Sequence, residues 1–426
     1  MKKYQTALVL GSGKSGQAAK RLLETEGTNV TMVSQPQDVL PSLEEFDVCI
    51  LSPGFALTHP WVEKVQSAGI QLLAEIELGW SRHAGKTVAV TGSNGKSSAV
   101  KWIAEMLELN KNRVAIGGNY GIPACDVVLD HPNLEWLVLE VSSFQLEIFH
   151  QFRAEVSVLL NVLPNHLDRH ETMEKYQKIK SQVFARSKKE DVCLVPLSLL
   201  KQVQNDLSDT GARNWVTFGG EKTCDFFYQA GRIYDQNKAV VNLYKTFFEQ
   251  PILGKCTGAA VAGVAHACGV PFSVLEQAAQ QFRPLPHRLE TVGEYEGVHY
   301  VNDSKATNLA AMVAGLVSVG SRIHLIAGGL PKETNFIFIK EMLAERVISI
   351  YIIGQVSRTM YEAWCDIVPC VECKTLDLAF ENARNVAKEG EIILLSPGCA
   401  SFDQFRSFEE RGEQFKALFR LLLSKR

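Results

Sequence analysis

The sequence lacks an excess of charge of either sign, because 44 Lys and Arg residues face 47 Asp and Glu residues and leave a net charge of −3. This balance excludes an obvious polyanion-binding protein, so we expect no nucleic acid partner, although a local basic groove remains compatible with it. Long apolar runs are missing too. Since a membrane-spanning helix needs about 18–20 consecutive apolar residues, we expect no membrane span, and we expect residues 258–270 to form a packed helix. The apolar run near the N-terminus is short and breaks at a glycine loop, which argues against a signal peptide.

Paired cysteine motifs are scarce. The ten cysteines are scattered through apolar segments, a distribution typical of reduced thiols in a cytoplasmic protein rather than of a disulfide framework. Cys370 and Cys373 form one C-x-x-C pattern without a second pair or a histidine cluster, so we expect no metal or redox role for them.

Strand-like apolar runs alternate with helical patterns along the chain, which is typical of parallel α/β units. The segment Arg283–Arg288 contains two prolines and is interpreted as a linker. A chain of 426 residues exceeds one hydrophobic core, and we expect three domains, at residues 1–82, 83–283 and 284–426. The predicted strands are 6–10, 29–33, 47–51, 86–90, 136–139, 156–160, 298–301, 323–327, 348–353 and 392–395.

A glycine-rich loop between a predicted strand and an amphipathic helix carries the clearest chemical signal. It reads Thr91-Gly92-Ser93-Asn94-Gly95-Lys96-Ser97-Ser98, with Val90 in place of the usual first glycine of a P-loop. The backbone amides and the helix N-terminus favour a polyphosphate, Lys96 offers a charge to the β- and γ-phosphates, and Ser97 offers a hydroxyl to Mg²⁺. The alternative is a structural turn with a solvent-facing lysine.

Two further polar residues follow predicted strands of the same sheet. Glu140 ends the run 136–139, and His166 comes shortly after the run 156–160. Carboxyl ends of parallel strands are where α/β sheets place ligand groups, so these side chains are candidates to hold one or two Mg²⁺ ions. Taken alone, each of them is equally compatible with a surface position.

The first glycine loop, Gly11–Gly16, is a G-x-G-x-x-G sequence between the first strand and the first helix. A dinucleotide site also needs an acidic residue at the end of the second strand, where this chain has Val33 and Ser34. The loop therefore favours a diphosphate of some kind over NAD, and a turn without a ligand is the alternative.

Together these motifs resemble the Mur ligases, and within that family the D-glutamate-adding branch. The resemblance runs along essentially the whole chain. It rests on Gly11–Gly16, Ser52–Gly54, Thr91–Ser98, Gly118–Gly121, Glu140–Glu147, Asn161–Arg169, His287–Glu290, Asn302–Asn308, Gly328–Lys332, Ser396–Phe405 and Phe408–Gly412. It implies a Rossmann-like N-terminal domain, a central P-loop-type mononucleotide-binding domain and a Rossmann-like C-terminal domain.

The resemblance also implies a reaction and its substrates. ATP would phosphorylate the carboxylate of UDP-N-acetylmuramoyl-L-alanine, and D-glutamate would attack the acyl phosphate, in cytoplasmic peptidoglycan precursor synthesis by a monomer. Two Mg²⁺ ions are implied, with Ser97, Glu140 and His166 as ligands. Lys180, on a helix predicted over Thr172–Arg186, aligns with a lysine that the family carbamylates into a further Mg²⁺ ligand.

Further site residues are implied only by position in the family motifs. ATP would contact residues 92–98 together with Asn119, Arg288, Asp303 and Lys305. D-glutamate would contact Thr307, Lys332, Ser401, Phe402 and Phe408. The UDP substrate would contact Ser12, Lys14, Ser15, Ser34, Asn119 and His166. Ser401 is also a candidate N-cap for the final helix, and Lys332 an ordinary loop lysine.

Three other functions remain open on the residues alone. A P-loop ATPase that drives a conformational event shares the Thr91–Ser98 loop, and a dehydrogenase shares Gly11–Gly16 but lacks the acidic residue. A folylpolyglutamate synthetase shares the central motifs. It is disfavoured because it should start near the P-loop, whereas about 85 residues precede Lys86 here.

Overall fold

The computed structural model describes residues 3–34, 39–207, 211–331 and 335–424, apart from the side chain of residue 168. The chain forms two compact units. The first comprises residues 1–162 and 169–282, and the second comprises residues 163–168 and 283–426. Three sheets with helices packed against them make up the two units, so the protein is a mixed α/β protein with a Rossmann-like N-terminal domain, a central P-loop-type domain and a Rossmann-like C-terminal domain.

The N-terminal sheet of the first unit has four parallel strands in the order β2-β1-β3-β4. Strands β1, β3 and β4 are almost entirely buried, as expected of parallel strands covered by helices, whereas the edge strand β2 is partly exposed. Its elements are β1 (Thr6–Leu10), α1 (Lys14–Thr25), β2 (Asn29–Val33), β3 (Val48–Leu51), α2 (Pro60–Ser67), β4 (Gln71–Ala74) and α3 (Glu75–Trp80).

The central sheet belongs to the same unit and has nine strands, in the order β13-β12-β11-β10-β9-β8-β5-β7-β6. The strands from β6 to β11 in that order run parallel, and β12 and β13 add an antiparallel edge. Its strands are β5 (Lys86–Thr91), β6 (Val114–Gly118), β7 (Trp136–Glu140), β8 (Val156–Leu159), β9 (Val192–Pro196), β10 (Asn214–Gly219), β11 (Phe226–Gln229), β12 (Arg232–Asp235) and β13 (Lys238–Asn242).

The helices that accompany the central sheet pack largely through small and aliphatic side chains, as in the buried α11. A π-helical turn at 254–258 joins α10 to α11. The helices are α4 (Lys96–Leu109), α5 (Ala124–Asp130), α6 (Ser143–Leu146), α7 (Leu167–His170), α8 (Met173–Ser181), α9 (Leu200–Asp206), α10 (Pro251–Leu253), α11 (Ala259–Cys268) and α12 (Phe272–Gln281).

The sheet of the second unit has six strands, in the order β14-β15-β19-β16-β17-β18, and only β14 runs antiparallel to its neighbour. Its elements are β14 (Glu290–Tyr295), β15 (Val298–Asn302), α13 (Leu309–Val319), β16 (Ile323–Gly328), α14 (Lys340–Arg346), β17 (Val347–Ile353), α15 (Ser357–Trp364), β18 (Cys370–Lys374), α16 (Leu376–Val386), β19 (Ile392–Leu395) and α17 (Phe408–Ser424).

All ten predicted strands are confirmed, most of them to within one residue at each end. Two local predictions were wrong. The helix predicted over Thr172–Arg186 is capped by Thr172 and ends at Ser181, where the chain continues as a 3₁₀ turn. Ser401 does not cap the final helix, because α17 begins at Phe408 and the hydroxyl of Ser407 accepts the hydrogen bond from Glu410 N.

Within the described ranges, no helix combines the length and the apolar character that crossing a bilayer requires. Residues 258–270, the longest apolar candidate in the sequence, form the C-terminal end of the π turn and then α11, which packs in the core of the first unit.

Candidate active site

In each of the three sheets there is a switch point, where the order in which successive strands are added changes from one side of the sheet to the other. A motif identified in the sequence lies at each switch point. In the N-terminal sheet, β1 lies between β2 and β3 and leads into Gly11–Gly16. In the central sheet, β5 lies between β7 and β8 and leads into Thr91–Ser98. In the second unit, the loops after β15, β19 and β16 meet at the corresponding edge. Such switch points are where open α/β sheets bind ligands.

The loop after β5 has the geometry of a phosphate-binding loop. Gly95 takes the left-handed conformation, with φ of 85°, at the N-cap of α4, and Lys96 is the first residue of that helix. The side chain of Asn161, which follows β8, forms hydrogen bonds to the backbone of this loop. Its Oδ1 accepts hydrogen bonds from the backbone N–H groups of Ser93 (3.1 Å) and Asn94 (3.0 Å), and its Nδ2 donates to the carbonyl oxygen of Asn94 (3.1 Å). The predicted arrangement of strand, loop and helix is confirmed.

Two oxygen groups of the type that Mg²⁺ prefers lie beside this loop. The register pairs Val90 of β5 with Glu140, the last residue of β7. Ser97 Oγ donates to Glu140 Oε2 at 2.6 Å, and both side chains are buried. Asn119 Nδ2 donates to the other carboxylate oxygen at 2.7 Å. The structure thus brings together three of the residues that the sequence assigned to nucleotide and metal, and the oxygen atoms of Ser97 and Glu140 are of the kind that fits a Mg²⁺ ion.

Two lysines converge on the same carbonyl of the loop. Lys96 Nζ donates to Gly92 O (2.8 Å) and Ser93 O (3.0 Å), and Lys180 Nζ donates to Gly92 O (2.9 Å). Lys180 is 1% exposed. Burial, reinforced by the positive charge of Lys96 and opposed by Glu140, lowers the pKa of Lys180 well below its usual value. Its amine is therefore pushed toward the neutral, nucleophilic form.

Lys180 is held by an aromatic neighbour that the sequence did not single out. Its Nζ lies 4.7 Å from the centroid of the Tyr176 ring, and the Tyr176 hydroxyl lies 3.1 Å from Ser93 Oγ. On its other side, Tyr176 stacks on His170, whose Nε2 lies 3.0 Å from Ser143 Oγ. Tyr176 and Lys180, which lie one turn apart on α8, therefore both contact the phosphate loop.

The first glycine loop is tightly packed against Ser52, the residue that follows β3, because a Cβ atom on Gly11 would lie 2.6 Å from Ser52 Oγ. A Cβ atom on Gly16 would lie 1.8 Å from the carbonyl oxygen of Gly11, so only glycine fits there. Gly11 N donates to Val33 O at 2.8 Å, which ties the loop to the end of β2 beside Ser34. Ser12 and Lys14 are exposed and Ser15 is half-buried, so all three are accessible to a ligand.

In the second unit, Asp303 follows β15 and is buried. Its Oδ2 accepts from Ser396 Oγ (2.9 Å), and its Oδ1 accepts from Leu289 N (3.2 Å). Burial raises the pKa of Asp303 to about 7, against the lowering effects of these bonds and of Arg288. Lys305 Nζ lies 3.7 Å from the centroid of the Phe408 ring.

The described residues that the resemblance assigns to D-glutamate lie, like Asp303, at the carboxyl ends of the strands in the second unit. Ser401 is buried and its carbonyl accepts from Phe405 N at 2.9 Å, whereas the Phe402 side chain is 69% exposed. Thr307 lies in the turn before α13. Lys332 lies outside the described residues. His166 belongs to the segment 163–168 of this unit and takes a positive φ of 56°.

The sequence did not identify Asn161, Tyr176 and Arg411 as site residues, although Asn161 and Arg411 lie in the family motifs and Tyr176 lies on the helix predicted over Thr172–Arg186. Asn161 had one usable signal, because an amide directly after a buried strand stands at the edge where ligand loops gather. For Tyr176 the sequence contains no comparable signal. Among the described residues, no group of three or more His, Cys, Asp or Glu side chains is placed to hold a metal ion. The candidate magnesium ligands beside the loop are the hydroxyl of Ser97 and the carboxylate of Glu140, which form a pair rather than such a group.

A P-loop at the switch point of a parallel sheet, with a hydroxyl and a carboxylate beside it, defines a P-loop nucleotide-binding protein. The profile of the Mur ligase middle domain matches residues 90–262. Two proteins named UDP-N-acetylmuramoylalanine--D-glutamate ligase match nearly end to end. The one from Acidobacterium capsulatum is 33% identical over 98% of this chain and 96% of its own length. The one from Solibacter usitatus is 34% identical over 97% of each chain.

The chain therefore belongs to the Mur ligase family, and it is an ATP-dependent ligase. The fold agrees with a solved structure of that family. The MurF ligase from Thermotoga maritima in complex with ADP superposes with a TM-score of 0.66 at 18% identity, covering 98% of this chain and 95% of the other.

Proposed function

We propose that this chain ligates D-glutamate to UDP-N-acetylmuramoyl-L-alanine at the expense of ATP, in the assembly of peptidoglycan precursors. The observation that carries the proposal is the end-to-end match, at 33–34% identity, to relatives that bear the name of that activity. The proposal includes action as a monomer in the cytoplasm on small-molecule substrates, and domain boundaries at 1–82, 83–283 and 284–426.

The proposed reaction has two steps. A carboxylate oxygen of the UDP substrate attacks the γ-phosphorus of ATP, the bond to the β–γ bridging oxygen breaks, and ADP leaves with an acyl phosphate formed. The amine of D-glutamate then attacks the acyl carbon, the bond from that carbon to the phosphate oxygen breaks, and phosphate leaves as the amine loses a proton. Both nucleophiles come from the substrates, so the protein supplies position and charge.

The loop Thr91–Ser98 would hold the ATP phosphates through its backbone N–H groups and Lys96. In the structure, Lys96 donates to two carbonyl oxygens of its own loop, so we expect a bound polyphosphate to compete for this ammonium group. Ser97 and Glu140, with His166 for a second ion, would hold Mg²⁺. When bound, Mg²⁺ supplies positive charge against the charge that develops on the phosphate oxygens.

Lys180 would act as a carbamate. The ammonium group first loses a proton, the neutral amine attacks CO₂, an N–C bond forms, and a second proton is released. A cationic side chain thereby becomes an anionic one. The burial of Lys180 and the lowered pKa of its amine favour this reaction. As a carbamate it would present oxygens beside Gly92, and it would relieve the repulsion between two ammonium groups at one carbonyl.

Further ligand contacts are proposed from the family motifs. Asp303 and Lys305 would contact the ribose and the phosphates of ATP, and Arg288 and Asn119 would flank the base. D-glutamate would be held by Thr307, Lys332, Ser401 and the backbone near Phe402 and Phe408. The UDP substrate would bind around Ser12, Lys14, Ser15 and Ser34, with Asn119 and His166.

The test is phosphate release with ATP, Mg²⁺ and UDP-N-acetylmuramoyl-L-alanine, comparing D-glutamate, L-glutamate, other amino acids and no amine. We expect phosphate and a new amide product with D-glutamate alone. Release without any amine would instead identify a plain ATPase. Release with another amino acid would keep the ligase mechanism and overturn the proposed substrate.

A further inference from the structure

Arg411, the third residue after the start of α17, is a fully buried cation without a carboxylate partner. Its exposed fraction is 0%, and its hydrogen bonds go to neutral acceptors rather than to a carboxylate. Burial lowers the pKa of its guanidinium to about 10, against the raising effects of Cys399, Asp403 and Asp303. Burying a cation that is not directly paired with a carboxylate is costly, and an apolar side chain of similar volume usually serves a core as well. The presence of arginine at this position therefore points to a role beyond packing.

The guanidinium binds four neutral acceptors that lie on two separate loops. Nε donates to Ser304 Oγ (2.9 Å), and Nη2 donates to Ser304 O (2.8 Å) and Cys399 O (3.2 Å). Nη1 donates to Ala400 O (3.4 Å). Ser304 lies between Asp303 and Lys305, and the other two acceptors immediately precede Ser401. One rigid, planar group thus joins the loop after β15 to the loop after β19.

The same guanidinium also lies against a third loop. Leu330 and Ala400 exchange two backbone hydrogen bonds of 2.9 Å each, which fasten the loop after β16 to the loop after β19. A Cβ atom on Gly329 would lie 3.2 Å from Nη1 of Arg411. In addition, Ser304 Oγ donates to Phe408 O at 2.8 Å, which links the first loop to the start of α17.

We infer that Arg411 is a positioning residue that sets the spacing between the loop of residues 303–308 and the loop of residues 396–405. Under the proposed function, on which this inference rests, the first loop serves ATP and the second serves D-glutamate. Arg411 therefore aligns the amino acid with the nucleotide without touching either. Lysine cannot replace it, because a single ammonium group cannot span acceptors on both loops.

The test compares R411K with R406K as its matched control, since the Arg406 side chain is 91% exposed and forms an ion pair with Glu410, one turn further along the chain. Steady-state KM values are measured for D-glutamate, ATP and the UDP substrate. Because small displacements of substrate-holding groups are costly, we expect R411K to raise the KM for D-glutamate by at least about tenfold and that for ATP by a smaller factor. The KM for the UDP substrate should stay within about twofold, since neither of the two loops that Arg411 joins carries one of its proposed contacts.

Amide hydrogen exchange on the ligand-free protein supplies a readout that does not depend on activity. We expect faster exchange in R411K in peptides that cover 303–308 and 396–405, with β16 and β17 of the same unit unchanged. Unchanged exchange, or a uniform increase across the unit with unchanged KM values, would overturn the inference. An inactive wild type would instead refute the proposed function, and the exchange result would still decide on Arg411.

S304A provides the second variant, should R411K fail to fold. It removes the acceptor of Arg411 Nε and the donor to Phe408 O. We expect the same pattern of KM values and exchange as for R411K, with smaller changes. Wild-type exchange and wild-type KM values for D-glutamate and ATP in S304A would contradict the positioning role.

Discussion

Asn161 supports the phosphate loop, and its removal yields a prediction whose size follows from the structure. The side chain makes three hydrogen bonds to the backbone of Ser93 and Asn94. In N161A, Ser93 N keeps its bond to the carbonyl oxygen of residue 161 (3.0 Å), whereas the N–H and C=O groups of Asn94 lose their hydrogen bonds to the side chain of residue 161. At about 1 kcal/mol for each hydrogen bond, the loss is about 2–3 kcal/mol.

This energy should appear mainly in the binding of ATP, because the loop must adopt its bound conformation before phosphates can use its N–H groups. At 1.4 kcal/mol for a tenfold change, about 2–3 kcal/mol corresponds to a loss of about 30- to 140-fold in kcat/KM for ATP. The assay is phosphate release at varied ATP with the other substrates saturating.

The control is N110A, since Asn110 follows the last residue of α4 and its side-chain Nδ2 donates to Asn112 Oδ1 at 3.1 Å. We expect its kcat/KM for ATP to match the wild type within about twofold. An N161A protein with wild-type kcat/KM for ATP would refute the reasoning. An equal loss in kcat/KM for the UDP substrate would show a general disturbance rather than a loosened loop.

Three further predictions concern single groups. K180A should lose most of its activity and regain part of it when short-chain carboxylates are added, because these replace the carbamate; full activity in K180A without additions would exclude an essential role. The pKa of Asp303 is about 7 in the folded state, above the usual value near 3.9. Between roughly pH 4 and 7 the folded state therefore binds more protons than the unfolded state, and the protein loses stability as the pH rises through that range. D303N should therefore show a smaller fall in Tm than the ligand-free wild type between pH 5 and pH 8, and an equal fall would contradict the raised pKa. G16A should raise the KM for the UDP substrate by at least about tenfold, because the new Cβ atom would meet the Gly11 carbonyl. A Cβ atom on Gly13 would meet no atom within 4 Å, so G13A is its control, and equal KM values in the two variants would contradict the steric argument.

The strands were predictable because each is a short apolar run bounded by glycine, proline or polar residues. The runs 6–10, 29–33 and 392–395 match β1, β2 and β19 to the residue. The P-loop was predictable for the same local reason, since its strand, glycines, lysine and helix are contiguous in the chain.

The supports of the site were not predictable, because their partners are distant in sequence. Asn161 lies 67 residues from Asn94, and an asparagine after a strand is equally typical of a turn. Arg411 follows Glu409 and Glu410, so the local pattern predicts a solvated helix face, whereas its main acceptor, Ser304, lies 107 residues away. Burial of a charged side chain is decided by such long-range contacts rather than by its neighbours in the chain.

The same limit applies to Lys180. On its helix it follows Lys178 and resembles any surface lysine, but the fold places it 1% exposed under the phosphate loop. Its alignment with the family motif identified the position. The structure supplies the physical reason for the lowered pKa of its amine, namely burial beside the second cation Lys96.

The most direct test of the central claim follows one oxygen atom. UDP-N-acetylmuramoyl-L-alanine labelled with ¹⁸O in its carboxylate is turned over with ATP, Mg²⁺ and D-glutamate, and the released phosphate is analysed by mass spectrometry. An acyl phosphate intermediate predicts one labelled oxygen in the phosphate and the amide product in equal amount. Phosphate without label, released at the same rate, would mean that water attacks ATP directly and would contradict the account.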